Sequence, residues 1–209
     1  MNHYLAQFLT VAGLHLLAVI SPGPDFILIT RNSLLYSRKI GILSAFGLAL
    51  GIIVHVTYSL IGLAYLISKS IILFNAIKFC GALYLIYIGF KSITAKTETV
   101  QRDPTLADQT NLNTISAIRM GFLTNALNPK ATLFFLSLFT LVISSSTPLS
   151  WKLAYGIEMS IATFLWFSFV AFVFSHDRLK LWISRIQKYI QKGLGVLLTV
   201  IGLKILLTK

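Results

Sequence analysis

Ala18-Val19-Ile20-Ser21-Pro22-Gly23-Pro24-Asp25-Phe26-Ile27-Leu28-Ile29-Thr30 sets two prolines, a glycine and a carboxylate inside an otherwise apolar run. A proline removes a backbone donor and displaces the carbonyl four residues earlier, so Pro22 and Pro24 loosen the carbonyls of Ala18 and Ile20. In lipid such groups are costly unless protein, water or solute satisfies them. The rest of the chain places this break in lipid. Of its 209 residues 56% are hydrophobic and only 11% charged, with a mean hydropathy of +0.81. Soluble domains average about 45–50% and about 25%. The composition is that of an integral membrane protein.

Working outward from the break, six stretches approach the roughly 20 apolar residues that cross a bilayer. They run from Leu5 to Thr30, Ile40 to Ile67, Ile71 to Phe90, Ser116 to Ile143, Leu153 to Phe174 and Tyr189 to Leu207. The expected fold class is therefore all-α, an integral membrane bundle of six transmembrane helices. The formal charge of +12 would suit nucleic acid in a soluble protein, but here the basic residues lie in short clusters between apolar stretches, where they orient a membrane protein. No nucleic-acid partner is expected. The connections after the first, third and fifth spans carry twelve basic residues and the opposite side five. The positive-inside rule then puts both termini outside the cytoplasm. Met1-Asn2-His3-Tyr4 has no Lys or Arg ahead of a first apolar stretch that is too long for a signal core, so no cleaved signal peptide is expected. Cys80 has no second cysteine to pair with and reads as a packing residue.

The polar stretch 94–114 separates a first half, 1–93, from a second, 115–209, within one membrane domain. Each half has a proline-broken first helix: Ser21-Pro22-Gly23-Pro24 in one, Asn128-Pro129-Lys130 in the other. Each third helix ends alike, Gly89-Phe90-Lys91 against Gly202-Leu203-Lys204. Three spans per half is an odd number, so the second half enters the membrane in the opposite sense. That is an inverted repeat, and interrupted helices at matching places point to a transporter's binding site. Gly47 and Gly51 form a small-xxx-small face for close packing, within the chain or against a second copy as a homodimer.

Ser21-Pro22 and Asn128-Pro129 also read as helix starts, with Ser21 or Asn128 as N-cap and proline in the first position. Such a start presents free N–H groups and a positive dipole end that suit a carboxylate, and the loosened carbonyls, with that of Asn125, suit an ammonium. Two such breaks could hold both ends of a small zwitterionic solute. Asp25 favours its helix start, whereas Lys130 opposes its own and needs an anion, either Asp25 or a solute carboxylate. The alternative is a permanent Asp25–Lys130 pair that only locks the halves together. Measured along an unbroken helix Asp25 lies near one membrane face and Pro129 near mid-span, so only a real break brings them level. Among the other polar residues inside spans, His15, His55, Asn125 and Glu158, His55 is a candidate proton relay or equally a histidine bonded to a neighbouring backbone carbonyl, and Glu158 reads as a solvated interface charge. No metal-ligand spacing and no phosphate loop occurs, so neither a metal nor another cofactor is expected.

These motifs resemble the LysE/RhtB family of amino-acid exporters. The resemblance is carried by Ser-Pro-Gly-Pro-Asp at 21–25; Gly41, Ala45-Phe46-Gly47, Gly51 and His55; and Gly81-Ala82-Leu83-Tyr84-Leu85 with Gly89. It continues through Met120-Gly121-Phe122-Leu123-Thr124-Asn125, Asn128-Pro129-Lys130-Ala131, Phe134-Phe135, Gly195 and Gly202-Leu203-Lys204. It implies a bacterial inner-membrane exporter of amino acids or close derivatives, driven by the proton motive force and not an enzyme. The substrate-binding or coupling residues would be Ser21, Pro22, Gly23, Pro24, Asp25, His55, Asn125, Asn128, Pro129 and Lys130, with protons and the lipid bilayer as further partners. Ser137-Leu138-Phe139 departs from the Pro-Gln-Phe common after Phe-Phe in that family. Metal-cation efflux, an intramembrane enzyme using Asp25, His55 and Glu158, and a purely structural membrane subunit are the alternatives.

Overall fold

The computed structural model describes residues 2–21, 23–69, 71–94, 112–143, 146–175 and, of the last segment, 189, 192–193, 195–196, 199–200, 202–203 and 206–207. The described residues form the helices α1 Asn2–Ile20, α2 Pro24–Leu35, α3 Arg38–Lys69, α4 Ile71–Thr94, α5 Thr114–Ala126, α6 Pro129–Leu141 and α7 Leu149–Phe174. α1, α3 and α7 are long and apolar enough to cross a membrane. The linker core 95–111, and part of the sixth expected span, lie outside the described residues. The helical residues Gly195, Thr199 and Gly202 pack on α4, where added methyls would meet Gly89, Ile93, Ala82 and Ile86.

Both proline motifs divide what would otherwise be one span. Pro24 stands at the start of α2 and Pro129 at the start of α6, where a missing N–H costs nothing because the first helical donors lack intrahelical partners anyway. α5 begins in the ordinary way, Asn113 accepting from the amide of Ser116 at 2.7 Å.

α3 runs through the middle of the bundle, packed against α5, α7, α2 and α6. α5 lies along α3 in the same direction, since Gly121 meets Ser44 and Gly51 meets Asn125. The backbones touch here, so the glycine pair Gly47 and Gly51 is used inside the chain, against Ile118 and Asn125. α7 runs antiparallel to α3, with Gly156 on Val56 and the Ser160 hydroxyl donating to the carbonyl of Ala49 at 2.8 Å. It is parallel to α1, as the contacts Gln7–Tyr155 and His15–Thr163 show.

Two apolar cores result. One gathers Val11, Ile52, Phe135, Phe139, Tyr155 and Met159; the other Phe26, Ile29, Leu48, Phe167, Val170 and Phe174. On the far side of α7, Leu149, Leu153, Ile157, Ile161, Leu165 and Phe169 form an exposed stripe, Ile157 at 62%. In water an apolar face of that length invites aggregation; against acyl chains it is simply the solvent-facing surface. The stretch 164–174 serves both surfaces: Phe167, Val170 and Phe174 pack inward while Leu165, Phe169 and Phe172 face out.

Candidate functional site

The site lies at the seam between the two cores, where the breaks meet. α1 ends with the Ser21 amide still donating to Leu17 at 3.2 Å. Gly23 follows in extended conformation and caps α2. Here the structure corrects the sequence: the cap is Gly23, not Ser21, because a cap directly precedes the proline at the first position and Pro24 holds that place. Pro22 lies outside the described residues. At the second break Asn128 is the cap as expected, its Oδ1 accepting from the Lys130 amide at 3.0 Å.

The breaks are tied to each other across about a hundred residues of sequence. Asp25 Oδ2 accepts from Asn125 Nδ2 at 2.7 Å and Oδ1 from Asn128 Nδ2 at 3.2 Å. In the other direction the Lys130 ammonium donates to the Ser21 carbonyl at 3.1 Å, its stem lying against Gly23. Charge-assisted bonds of this kind are the strong ones, and they cross between the halves both ways. The real break in each helix removes the depth mismatch between Asp25 and Pro129.

These groups line an open pocket with about 50 Å³ of water-accessible space. Ser21, Gly23, Asp25, Asn125, Asn128 and Lys130 all contribute to it. The rest of the lining is largely apolar, with Ile52, Phe134, Phe135 and Phe167. Pro24 and Pro129 are exposed and absent from the lining, so they act through the backbone they bend.

His55 stands one layer behind. It is 0% exposed, stacked on Phe135 with ring centroids 5.2 Å apart, and its Nε2 lies 2.9 Å from the Asn125 carbonyl. A carbonyl only accepts, so Nε2 carries a proton, and Nδ1 faces the Tyr58 hydroxyl at 2.7 Å. Tyr58 is also 3.4 Å from the Thr132 carbonyl. The expectation that loosened carbonyls await a ligand's ammonium is thus corrected at the second break. The Asn125 carbonyl, freed by Pro129, is taken by His55 and by the Asn128 amide at 2.9 Å. The ammonium on the first break, at Ser21, belongs to Lys130.

The family model described as LysE type translocator matches residues 16–209. The chain belongs to this family. Among its relatives, the uncharacterized membrane protein YrhP of Bacillus subtilis is 32% identical, the match covering 97% of this chain and 98% of the relative. The threonine efflux protein of Escherichia coli K12 is 30% identical over 98% of this chain and 100% of its own length. An uncharacterized membrane protein of Haemophilus influenzae is 29% identical over 90% of each. No solved structure matches the chain. This LysE-family chain is a multi-pass membrane protein.

Several residues in or next to this LysE-family pocket carried little signal in sequence. Tyr58 sits one helical turn after His55, and Tyr84, inside a motif of the resemblance, is within 3.3 Å of the Lys130 carbonyl. His15 stood out only as a polar residue in a span, yet it lines the pocket. Glu158 differs from the solvated charge expected of it: its Oε2 is buried without a hydrogen-bond partner, and it is not part of the pocket wall. Asp25, His55 and Glu158 are therefore not gathered into one acid–base site. Among the described residues no group of three His, Cys, Asp or Glu is placed to hold a metal ion.

Proposed function

We propose that this chain is a secondary exporter of amino acids or close derivatives across the bacterial cytoplasmic membrane, driven by the proton motive force. One observation carries the reading: the two proline breaks share a pocket and are laced together there, Asp25 by Asn125 and Asn128, Ser21 by Lys130. Such a pocket offers an anion and a cation to a ligand that has both. The solute's ammonium goes to Asp25, and its carboxylate to Lys130 and the start of α2, whose cap, Gly23, contributes no side-chain acceptor. Solute entry replaces the bonds between the halves by bonds to solute, which lets the halves move. Proton coupling runs through Asp25, with His55 and Tyr58 as the hydrogen-bonded continuation. Threonine is the first cargo to test, because the Escherichia coli relative is named for its efflux.

The architecture in this reading is six spans in two inverted three-helix repeats, both termini outside the cytoplasm. Exchanging the halves maps the parallel α3–α5 contact onto the parallel α7–α1 contact, and α2–α7 onto α6–α3, while α3 and α7 lie antiparallel to each other. His55 lies about 25 Å along α3 from Arg38 and about 21 Å from Lys69, at 1.5 Å per residue, which suits a mid-membrane site.

The test is counterflow of radiolabelled amino acids in proteoliposomes of the purified chain, with and without a pH gradient. Accumulation of threonine or another amino acid, unaltered and enhanced by the gradient, is expected. Absence of flux for every amino acid would sink the proposal.

A further inference from the structure

We propose that Gln7 is the bolt of a gate across the solute's path between the pocket and the membrane face at which α1 begins; from the reading above this takes only that solute passes between the pocket and that face. Two cavities between α1 and α6 mark the path. The pocket already described takes His15, Ala18 and Ser21 from α1 and Lys130, Ala131 and Phe134 from α6. A smaller, apolar cavity takes Leu14 from α1 and Phe134, Ser137, Leu141 and Val142 from the α6 side. Phe134 stands in both walls, so the second cavity continues the first toward the end of α6. Around them α1 packs along α7 and α6 along α4.

The two helices that flank this path are fastened to each other at both of its ends. At the site, Lys130 near the start of α6 donates to the Ser21 carbonyl at the end of α1. At the far end Gln7 Nε2 donates to the carbonyl of Val142, the C-cap of α6, at 2.7 Å. Gln7 Oε1 accepts from the Thr147 hydroxyl and from the Tyr155 hydroxyl of α7, both at 2.9 Å. A carbonyl only accepts, so the Val142 contact fixes which end of the amide carries the hydrogens, and both lone pairs of its oxygen are then taken. Capping α6 would need the Val142 bond alone. The two hydroxyls bring Thr147 and α7 to the same amide, which is 9% exposed, so α1, α6 and α7 close on one another where the second cavity reaches Val142. Solute passes this end only when the three bonds part. Water entering from that face then satisfies the freed groups, which makes the opening reversible. In the orientation proposed above this end lies outside the cytoplasm, and the structure is closed there.

The measurement is the labelling rate of a cysteine on the path. With Cys80, the chain's one cysteine, replaced by Ala, Ser137→Cys puts a single thiol in the wall of the second cavity. A membrane-impermeant maleimide, applied to right-side-out and to inside-out vesicles, reads opening from each face without any cargo. Labelling from the face where α1 begins should be slow with Gln7 intact, about 5-fold faster in Tyr155→Phe, which loses one bond, and at least about 10-fold faster in Gln7→Leu. From the other face the rate should not rise. Asn32→Leu is the control: it breaks a buried 2.9 Å bond to Ser44 toward the opposite end of the bundle and should not speed labelling from the α1 face. Unchanged labelling in Gln7→Leu overturns the inference, and so does an equal rise from both faces or in Asn32→Leu, either of which means a loosened bundle. Should Gln7→Leu not reach the membrane, Tyr155→Phe and Thr147→Val decide, and wild-type labelling in both overturns it. The expected labelling in a chain that moves no amino acid would remove the cargo and keep the gate.

Discussion

Asp25→Asn changes one atom and inverts one hydrogen bond. In the wild type both carboxylate oxygens accept, from Asn125 Nδ2 at 2.7 Å and from Asn128 Nδ2 at 3.2 Å. The variant keeps one oxygen and sets an NH₂ group against one of those NH₂ donors. One charge-assisted bond is lost, a net loss of about 2 kcal/mol, or about 30-fold in any equilibrium that depends on the arrangement. The variant also cannot bind or release a proton at this position. Half-saturation for the transported amino acid should therefore rise by about 30-fold or more, and the remaining flux should lose its dependence on a pH gradient. The assay is radiolabelled counterflow in proteoliposomes, with thermal unfolding of the detergent-purified variant as a check that it is folded. A folded Asp25→Asn chain that keeps wild-type half-saturation and gradient-driven flux would refute the assignment of Asp25 to either role.

Lys130→Met removes the ammonium from Ser21 while keeping the stem against Gly23, so the protein should fold and its half-saturation should rise at least about 10-fold; wild-type affinity would reduce Lys130 to a lock. Tyr58→Phe breaks only the link between His55 and the Thr132 carbonyl, so gradient-driven uptake should fall while exchange at equal pH persists, measured on the same vesicles. Gly121→Val drives a side chain into the Ser44 backbone, which cannot move aside, and should abolish the monodisperse peak in size-exclusion chromatography. Gly13→Ala meets nothing within 4 Å and should leave that peak in place, with a melting temperature equal to or slightly above wild type because alanine is the better helix former.

The local features of this fold were legible because they depend on neighbours in sequence. Apolar runs put α3, α4 and α7 within a few residues of their expected limits, and proline chemistry located both breaks. Even there the first start slid from Ser21 to Gly23, since two prolines compete for one first position and sequence does not say which wins. The pairing of the breaks was readable only as chemical plausibility: an aspartate in one motif, a lysine in the other. That the aspartate would be held by two asparagines, and the lysine by a carbonyl, was not. A His55 bonded to a backbone carbonyl was one of its two readings, but that the carbonyl would be that of Asn125 was not readable, because Pro129 releases it 70 residues later in the chain.

By itself, then, the sequence determined the solvent of this protein, the lengths of its helices and the two points where they yield, since apolar length and a missing N–H are properties of short segments. The tertiary structure alone decided which oxygen faces which amide, that the glycines of α3 are spent on α5, and that Gln7 fastens α1 to the far end of α6. Those outcomes depend on how helices far apart in sequence approach and turn toward one another. Ångström-scale approach decides whether a polar atom finds a partner, and residue order does not encode it locally.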